Sequence, residues 1–149
     1  MAKLFNFEVH TPYRPFFKDA VEAISLTLSD GEIGVYAGHS AFTAPALTSV
    51  LRIKDKNGVW KEAFASEGIL EVKEHKTVLV IDAAEWSEEI DYDRAIAART
   101  QAMEVLESGI FKFEIDRARA SLKRAETRIL VYERSRRQGG PALADMEKG

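Results

Sequence analysis

The sequence predicts a β + α chain, an N-terminal antiparallel β-sandwich followed by a C-terminal antiparallel two-helix hairpin, and three observations carry that expectation. Over the first 86 positions apolar residues alternate with polar ones in short stretches, the period of strands that bury one face. No helical pattern interrupts those stretches, which points to a sandwich or barrel rather than a βαβ sheet. From residue 87 to 137 the alternation gives way to Ala, Arg, Glu and Leu at helical spacing with no proline. The expected division is a β-domain over 1–86, a helical hairpin over 87–137 and a disordered tail over 138–149, where Gly-Gly-Pro follows the last basic residues.

The strands follow in order. Phe5, Phe7 and Val9 alternate with Asn6, Glu8 and His10, and Ile24, Leu26 and Leu28 alternate with Ser25, Thr27 and Ser29. Gly31, Gly34 and Gly38 are turn glycines; their spacing matches neither phosphate-binding glycine motif, and no helix pattern follows them. Shorter strands are expected around Val35–Tyr36 and Ala46–Ile53. Asn57-Gly58 then marks a hairpin, for which a type I′ turn is expected because both residues tolerate positive φ. Two further strands, 69–72 and 77–81, flank a polar turn.

In the second part Ala95, Ala98, Ala102 and Val105 recur at steps of three and four, flanked by Ile96, Met103 and Ile110. Ile115, Ala118, Leu122, Ala125, Ile129 and Tyr132 repeat those steps beyond a break at Gly109. Both read as seams that face a partner helix. Each buried methyl of an alanine seam is worth only about 0.8 kcal/mol, so this hairpin is expected to be marginal, and a ligand or a competing surface could open it. Asp91 suits the N-cap of the first helix.

Composition narrows the function. The hydrophobic share of 46% and charged share of 30% are those of an ordinary globular chain. No apolar run approaches the roughly 18 residues of a membrane span, and the N-terminus lacks the apolar core of a signal peptide. There is no cysteine, and His10, His39 and His75 stand apart, so no metal site is expected. Neither a Walker motif nor a nucleophile–base pair is present, so the chain is not expected to catalyse a reaction by itself. The net charge of −3 hides a basic segment in which Arg117, Arg119, Lys123, Arg124, Arg128, Arg134, Arg136 and Arg137 face only Glu126 and Glu133. A nucleic-acid-binding β-domain with a basic helical arm is the alternative reading; the negative total and the lack of an exposed aromatic strand pair argue against it.

The stretches DGEIGVYAGHSAFTAPAL, EGILEV and IDYDRA, set in this order of strands and helices, resemble the epsilon subunit of bacterial F-type ATP synthase from Phe5 to about Arg137. Ala37 replaces a proline usual in that family. The resemblance implies a rotor component of the central stalk, whose sandwich docks on the gamma subunit and the c-ring, with Glu32 and His39 in a loop facing the ring. It implies a peripheral position on the cytoplasmic face of the bacterial cell membrane, with membrane contact only through the complex. The basic second helix, extended along gamma, would meet acidic segments of the alpha and beta catalytic subunits and block hydrolysis.

The resemblance also implies a regulatory ATP site, no cofactor being required otherwise. Ile90, Asp91, Arg94 and Ala95 match the family motif position by position, Glu85 matches upstream, and Arg124 and Arg128 fall where two phosphate-facing arginines are placed. Gln101 stands where the family has a further arginine. Guanidinium groups grip phosphate through paired donors, which gives such a cluster a chemical use.

Overall fold

The computed structural model describes residues 3–138, and the chain separates into two compact units that divide between Glu85 and Trp86. The first unit is built of strands: β1 (Phe5–His10), β2 (Pro15–Leu28), β3 (Gly31–Tyr36), β4 (Phe42–Ala46), β5 (Ser49–Asp55), β6 (Trp60–Ala65), β7 (Gly68–Val72), β8 (Lys76–Ile81) and the first two residues of β9 (Ala84–Trp86), which ends across the division.

Its organising element is β2, which is long enough to serve two layers. The first half pairs with β1, from Val9↔Phe17 to Phe5↔Val21. The second half pairs with β3 on one edge, from Ala23↔Tyr36 to Leu28↔Gly31, and with β5 on the other. One layer therefore runs β1, β8, β7, β4 and back to β2, while β5, β6 and β9 continue the other. The pairing of β1 with β8 is parallel; the chain returns to β1 only after every other strand of that layer has been laid down. A register shift between Val21 and Ala23 lets the neighbours Ala23 and Ile24 both bury, where strict alternation would expose one. Phe7, Val9, Ile24, Leu51, Ile53, Phe64, Leu70 and Leu79 fill the interior.

The hairpin at Asn57-Gly58 forms, but its turn is not type I′. Gly58 has φ +78°, while no described residue other than glycine has a positive φ. The loop is instead three residues long, 56–58, closed by Asp55 N–H to Val59 O at 2.9 Å. Asp55 explains the choice: its carboxylate accepts the N–H groups of Asn57 at 2.9 Å and Val59 at 3.0 Å, so the turn is organised from the residue before it. Burial pushes the Asp55 carboxyl up, but the N–H bonds from Val59 and Asn57 together with the neighbouring Lys61 ammonium hold the group below its ordinary value.

The second unit contains a 3₁₀ turn (Ser87–Glu89) and two helices, α1 (Tyr92–Ser108) and α2 (Lys112–Arg137). Gly109 ends α1, its N–H donating to Val105 O at 2.6 Å; a side chain there would meet the same oxygen at 2.6 Å and Ile115 at 3.2 Å. Ala95 and Ala102 of α1 and Ala118, Ala125 and Ile129 of α2 are buried along the seam, with Ala98, Val105, Leu122 and Tyr132 half-buried. The flanking stripe does not pack as a unit: Met103 is 51% and Ile110 84% exposed. Thr127 and Val131 are buried although they stand about 150–170° around α2 from the seam; counting one heptad seam could not reveal a second covered face. Of the expected tail, residues 139–149 lie outside the described residues.

Gly68 opens β7 where a side chain would run into Val80 O and approach Ile81 Cα at 2.8 Å, both backbone atoms that a rotamer change does not move. Gly68→Ala is expected to destabilise the first unit by about 3 kcal/mol, read as a lowered thermal midpoint in circular dichroism. Retention of the parental midpoint would show that β7 and β8 can separate at no cost.

Candidate functional site

The motif residues gather where α1 begins. Ile90 is buried, its N–H bonded to Ser87 O at 3.3 Å, and it closes the 3₁₀ turn. Asp91 follows as N-cap: its Oδ1 accepts the Arg94 N–H at 3.1 Å, satisfying one of the donors that a helix start leaves open. The cap fixes the direction in which Arg94 leaves the helix, and that side chain is exposed. Ala95 lies in the seam. The start of α1 is therefore anchored by one apolar side chain and one carboxylate, with a guanidinium projecting one turn in.

An aromatic clasp that the sequence reading missed sets this point level with the end of α2. The rings of Tyr92 and Tyr132 stack at 4.4 Å between centroids and 20° between planes. Tyr92 Oη donates to Glu133 at 2.7 Å, and Arg136 donates to Tyr132 Oη at 2.7 Å while lying 4.9 Å from its ring centroid. The hydrogen bond to Glu133, then burial, then the Glu133 charge push the Tyr92 hydroxyl up from its ordinary value. Tyr132 closes the heptad seam and Tyr92 follows the cap; that conjunction was the available signal. The stack places Asp91 and Arg94 at the end of the hairpin that carries Arg128, one turn before Tyr132.

The basic residues of α2 are not one cluster. At 100° per residue, Arg117, Arg124 and Arg128 fall within about 20° of a common line, a stripe along one edge of the seam. Arg119, Lys123 and Arg137, all exposed, stand roughly 120–160° away on the outward side; Arg134, half-buried, stands within about 20° of Thr127 on the second covered face, and Arg136 lies on the clasp. Arg124 and Arg128 are half-buried, whereas Arg117, Arg119 and Lys123 are exposed. Between the helices, on the edge that carries Arg117, lies a groove of about 330 Å³, floored by Ala98, Ala102 and Ala118 and walled by Gln101, Arg117 and Ser121.

Glu85 belongs to β9 of the first unit, half-buried, whereas the other six motif positions belong to the second. Glu32 is on β3 rather than in a loop, opposite Thr27, and accepts from Ser25 Oγ at 3.4 Å. His39 lies beyond the other end of β3, its Nδ1 2.9 Å from Ser40 O and its ring 5.3 Å from that of Phe42. About 13 Å of strand separates Glu32 from Tyr36, so Glu32 and His39 stand at opposite ends of β3. The strand expected around Val35–Tyr36 starts earlier, at Gly31, and takes in Gly34, expected as a turn glycine, because Ile33 and Val35 continue the alternation against β2.

Known proteins can be set beside this geometry. Residues 4–87 match the family model described as ATP synthase, Delta/Epsilon chain, beta-sandwich domain, and residues 88–133 match the long alpha-helix domain of the same chain. The ATP synthase epsilon chain of Caldicellulosiruptor saccharolyticus is 46% identical over 132 residues, covering 89% of this chain and 96% of that one. That of Bacillus licheniformis is 34% identical over 87% of this chain and 98% of its own. Among solved structures, a chain of the Euglena gracilis mitochondrial ATP synthase (OSCP/F1/c-ring) aligns with a TM-score of 0.74 at 21% identity, covering 83% of this chain and 78% of that chain. A chain from the Tetrahymena thermophila mitochondrial ATP synthase central stalk and c-ring gives 0.62 at 10%, covering 88% and 98%.

Two expectations follow from the cap and the clasp. Asp91→Ala is expected to weaken α1 by about 1 kcal/mol in chemical denaturation followed by helical circular dichroism, whereas Asp91→Asn, which keeps a capping oxygen, retains most of that stability. A raised Tyr92 pKa means the clasp's contribution is complete below the unfolded tyrosine value near 10 and is lost as pH rises through the folded value. Alkaline titration of the hairpin should therefore show a loss of stability that Tyr92→Phe removes; identical profiles for the two proteins would show that the hydroxyl is not coupled to hairpin closure.

Proposed function

We infer, from the premise that this chain belongs to the ATP synthase delta/epsilon-chain family, that it is the epsilon chain of an ATP synthase, a non-catalytic subunit of that complex. Its sandwich joins the gamma subunit to the c-ring in the rotating central stalk. Its hairpin restrains hydrolysis when it leaves its closed form and sets α2 against acidic surfaces of the alpha and beta subunits. The outward face bearing Arg119, Lys123 and Arg137 supplies the charge for that encounter. The chain is held peripherally at the cytoplasmic face of the bacterial membrane through its partners; no helix among the described residues is long and apolar enough to cross one.

The observation that carries a regulatory role is the convergence at the open end of the hairpin. Taken from the Tyr92–Tyr132 stack, Arg94 on α1 comes within one helical turn of the level of Arg128 on α2, Arg124 follows one turn along the same edge, and Asp91 caps the start of α1. ATP held by these residues, with Ile90 and Ala95 completing the motif at the start of α1, would bridge both helices and bind only the closed hairpin. At ten times its Kd such a ligand adds about 1.4 kcal/mol to the closed state, which decides the outcome when the two states are nearly balanced. High ATP then releases the restraint and low ATP restores it.

In a reconstituted ATP synthase, replacing Arg119, Lys123 and Arg137 together by alanine is expected to raise hydrolysis severalfold at low ATP, with little change at high ATP. Equal rates for parental and substituted complexes at low ATP, with gamma still co-purifying, would overturn the inhibitory role of that face and leave the subunit assignment intact.

A further inference from the structure

We propose that Asn57 is a site of spontaneous deamidation and that the Asp55 carboxylate sets its rate by holding the 56–58 turn closed. Asn57 is followed by Gly58, so the backbone nitrogen that attacks the Asn57 side-chain carbonyl has no β-carbon beside it to hinder the approach. The reaction forms a bond from Gly58 N to Asn57 Cγ and breaks the bond from Cγ to Nδ2. The Gly58 N–H proton passes through water to the departing amine, which leaves as ammonia. Water then opens the cyclic imide. Cleavage at Cγ leaves an aspartate in the ordinary chain; cleavage at the backbone carbonyl leaves an isoaspartate, whose chain runs through Cβ and Cγ.

Three observations place the reaction here. Residues 56–60 are all exposed, and a β-carbon built on Gly58 meets only Glu22 Oε2, at 3.4 Å, so water reaches the turn and the ring has room to close. Among the described residues no hydrogen bond engages the Asn57 side-chain amide; its backbone N–H is held instead, by Asp55 Oδ1 at 2.9 Å. The chain's other asparagine, Asn6, precedes the buried Phe7 on β1 and pairs with Ala20 and Lys76 on either side, so the sheet fixes the backbone that an attack there would have to turn.

The turn itself opposes the reaction. Gly58 N–H, the attacking group, donates to Asp55 O at 2.9 Å, and Asp55 Oδ1 maintains that arrangement through the N–H groups of Asn57 and Val59. Attack waits for the turn to open, and two bonds to a charged acceptor make the open turn about tenfold rarer. The product fits the turn poorly. Its new carboxylate joins Asp55 and Glu22, whose cations Lys61 and Lys54 are already engaged at 3.7 Å and 3.6 Å. Isoaspartate adds a backbone atom inside the loop that closes β5 onto β6. Deamidation therefore loosens this edge of the sandwich in one direction only.

The test is peptide-mapping mass spectrometry of the full chain after incubation in mildly alkaline buffer, with isoaspartate detected by an isoaspartate-specific methyltransferase. Folded parental protein is expected to convert Asn57 to aspartate and isoaspartate while Asn6 stays an amide. Asp55→Ala converts Asn57 about tenfold faster, and Asp55→Asn, which keeps an acceptor oxygen without the charge, converts it at an intermediate rate. In urea, where the turn is lost, all three proteins convert Asn57 at one rate, which separates an effect of the fold from an effect of the neighbouring residue. Circular dichroism identical to the parent establishes that a variant is folded, and Asp55→Asn carries the comparison where Asp55→Ala is not. Asn57 left intact in the folded chain after the urea-unfolded chain has converted overturns the site; equal rates in folded parental and variant proteins overturn the control by Asp55.

Discussion

The behaviour of this chain depends on how little its two helices bury against each other. Four of the five fully covered seam residues are alanines, Ala95, Ala102, Ala118 and Ala125, and Ile129 is the one large side chain among them. Each alanine methyl adds only about 0.8 kcal/mol, so burial alone holds the helices weakly. Small side chains do bring the backbones close, which is what allows Tyr92 and Tyr132 to stack across the open end and Gly109 to reverse the chain tightly at the other. Closure is thus concentrated at the ends. A structure pinned at its ends and loosely filled between them responds to anything that binds at an end, and the motif residues are at one.

The sandwich is made the other way. Its interior holds Phe7, Phe64, Leu51, Leu70, Leu79, Ile24 and Ile53, large side chains spread over both layers and tied by β2, which belongs to each. Turns are fixed locally by side chains, as Asp55 fixes the 56–58 loop. Glu8 accepts a hydrogen bond from His10 at 2.8 Å and lies 3.6 Å from Lys76; the bond to His10 is the largest influence holding its carboxyl below the ordinary value. Such features suit a unit that transmits force without changing shape, in contrast to a hairpin suited to changing it.

Much of this was legible in the sequence because period and spacing report local geometry. Alternation located the strands, and steps of three and four found both helices and the residues along their shared seam. The Asp91 cap was legible because the cap depends on a neighbour three positions away. What escaped depends on contacts between distant positions. The parallel pairing of β1 with β8 and the Tyr92–Tyr132 stack join residues from 40 to about 70 positions apart, for which no period exists, and the covered face at Thr127 and Val131 lies off the one seam that the helical spacing was used to trace. The basic residues show the same limit: their number was plain, but only the helical wheel separates the Arg117, Arg124, Arg128 edge from the outward face. The turn type at Asn57-Gly58 was misjudged because the deciding group was the Asp55 carboxylate rather than either turn residue.

The central claim is that the closed hairpin is only marginally preferred and that ATP shifts it. Because the chain has no cysteine, spin labels can be placed singly at exposed positions such as Asp93 and Gln138, one near the start of α1 and one at the end of α2. Pulsed dipolar measurement of the full chain should give a short and a long distance population without ligand, with the short one growing on addition of ATP in the range of its Kd. One narrow short distance, unchanged by ATP, would mean that the clasp and seam hold the hairpin shut by themselves and that nucleotide does not govern it.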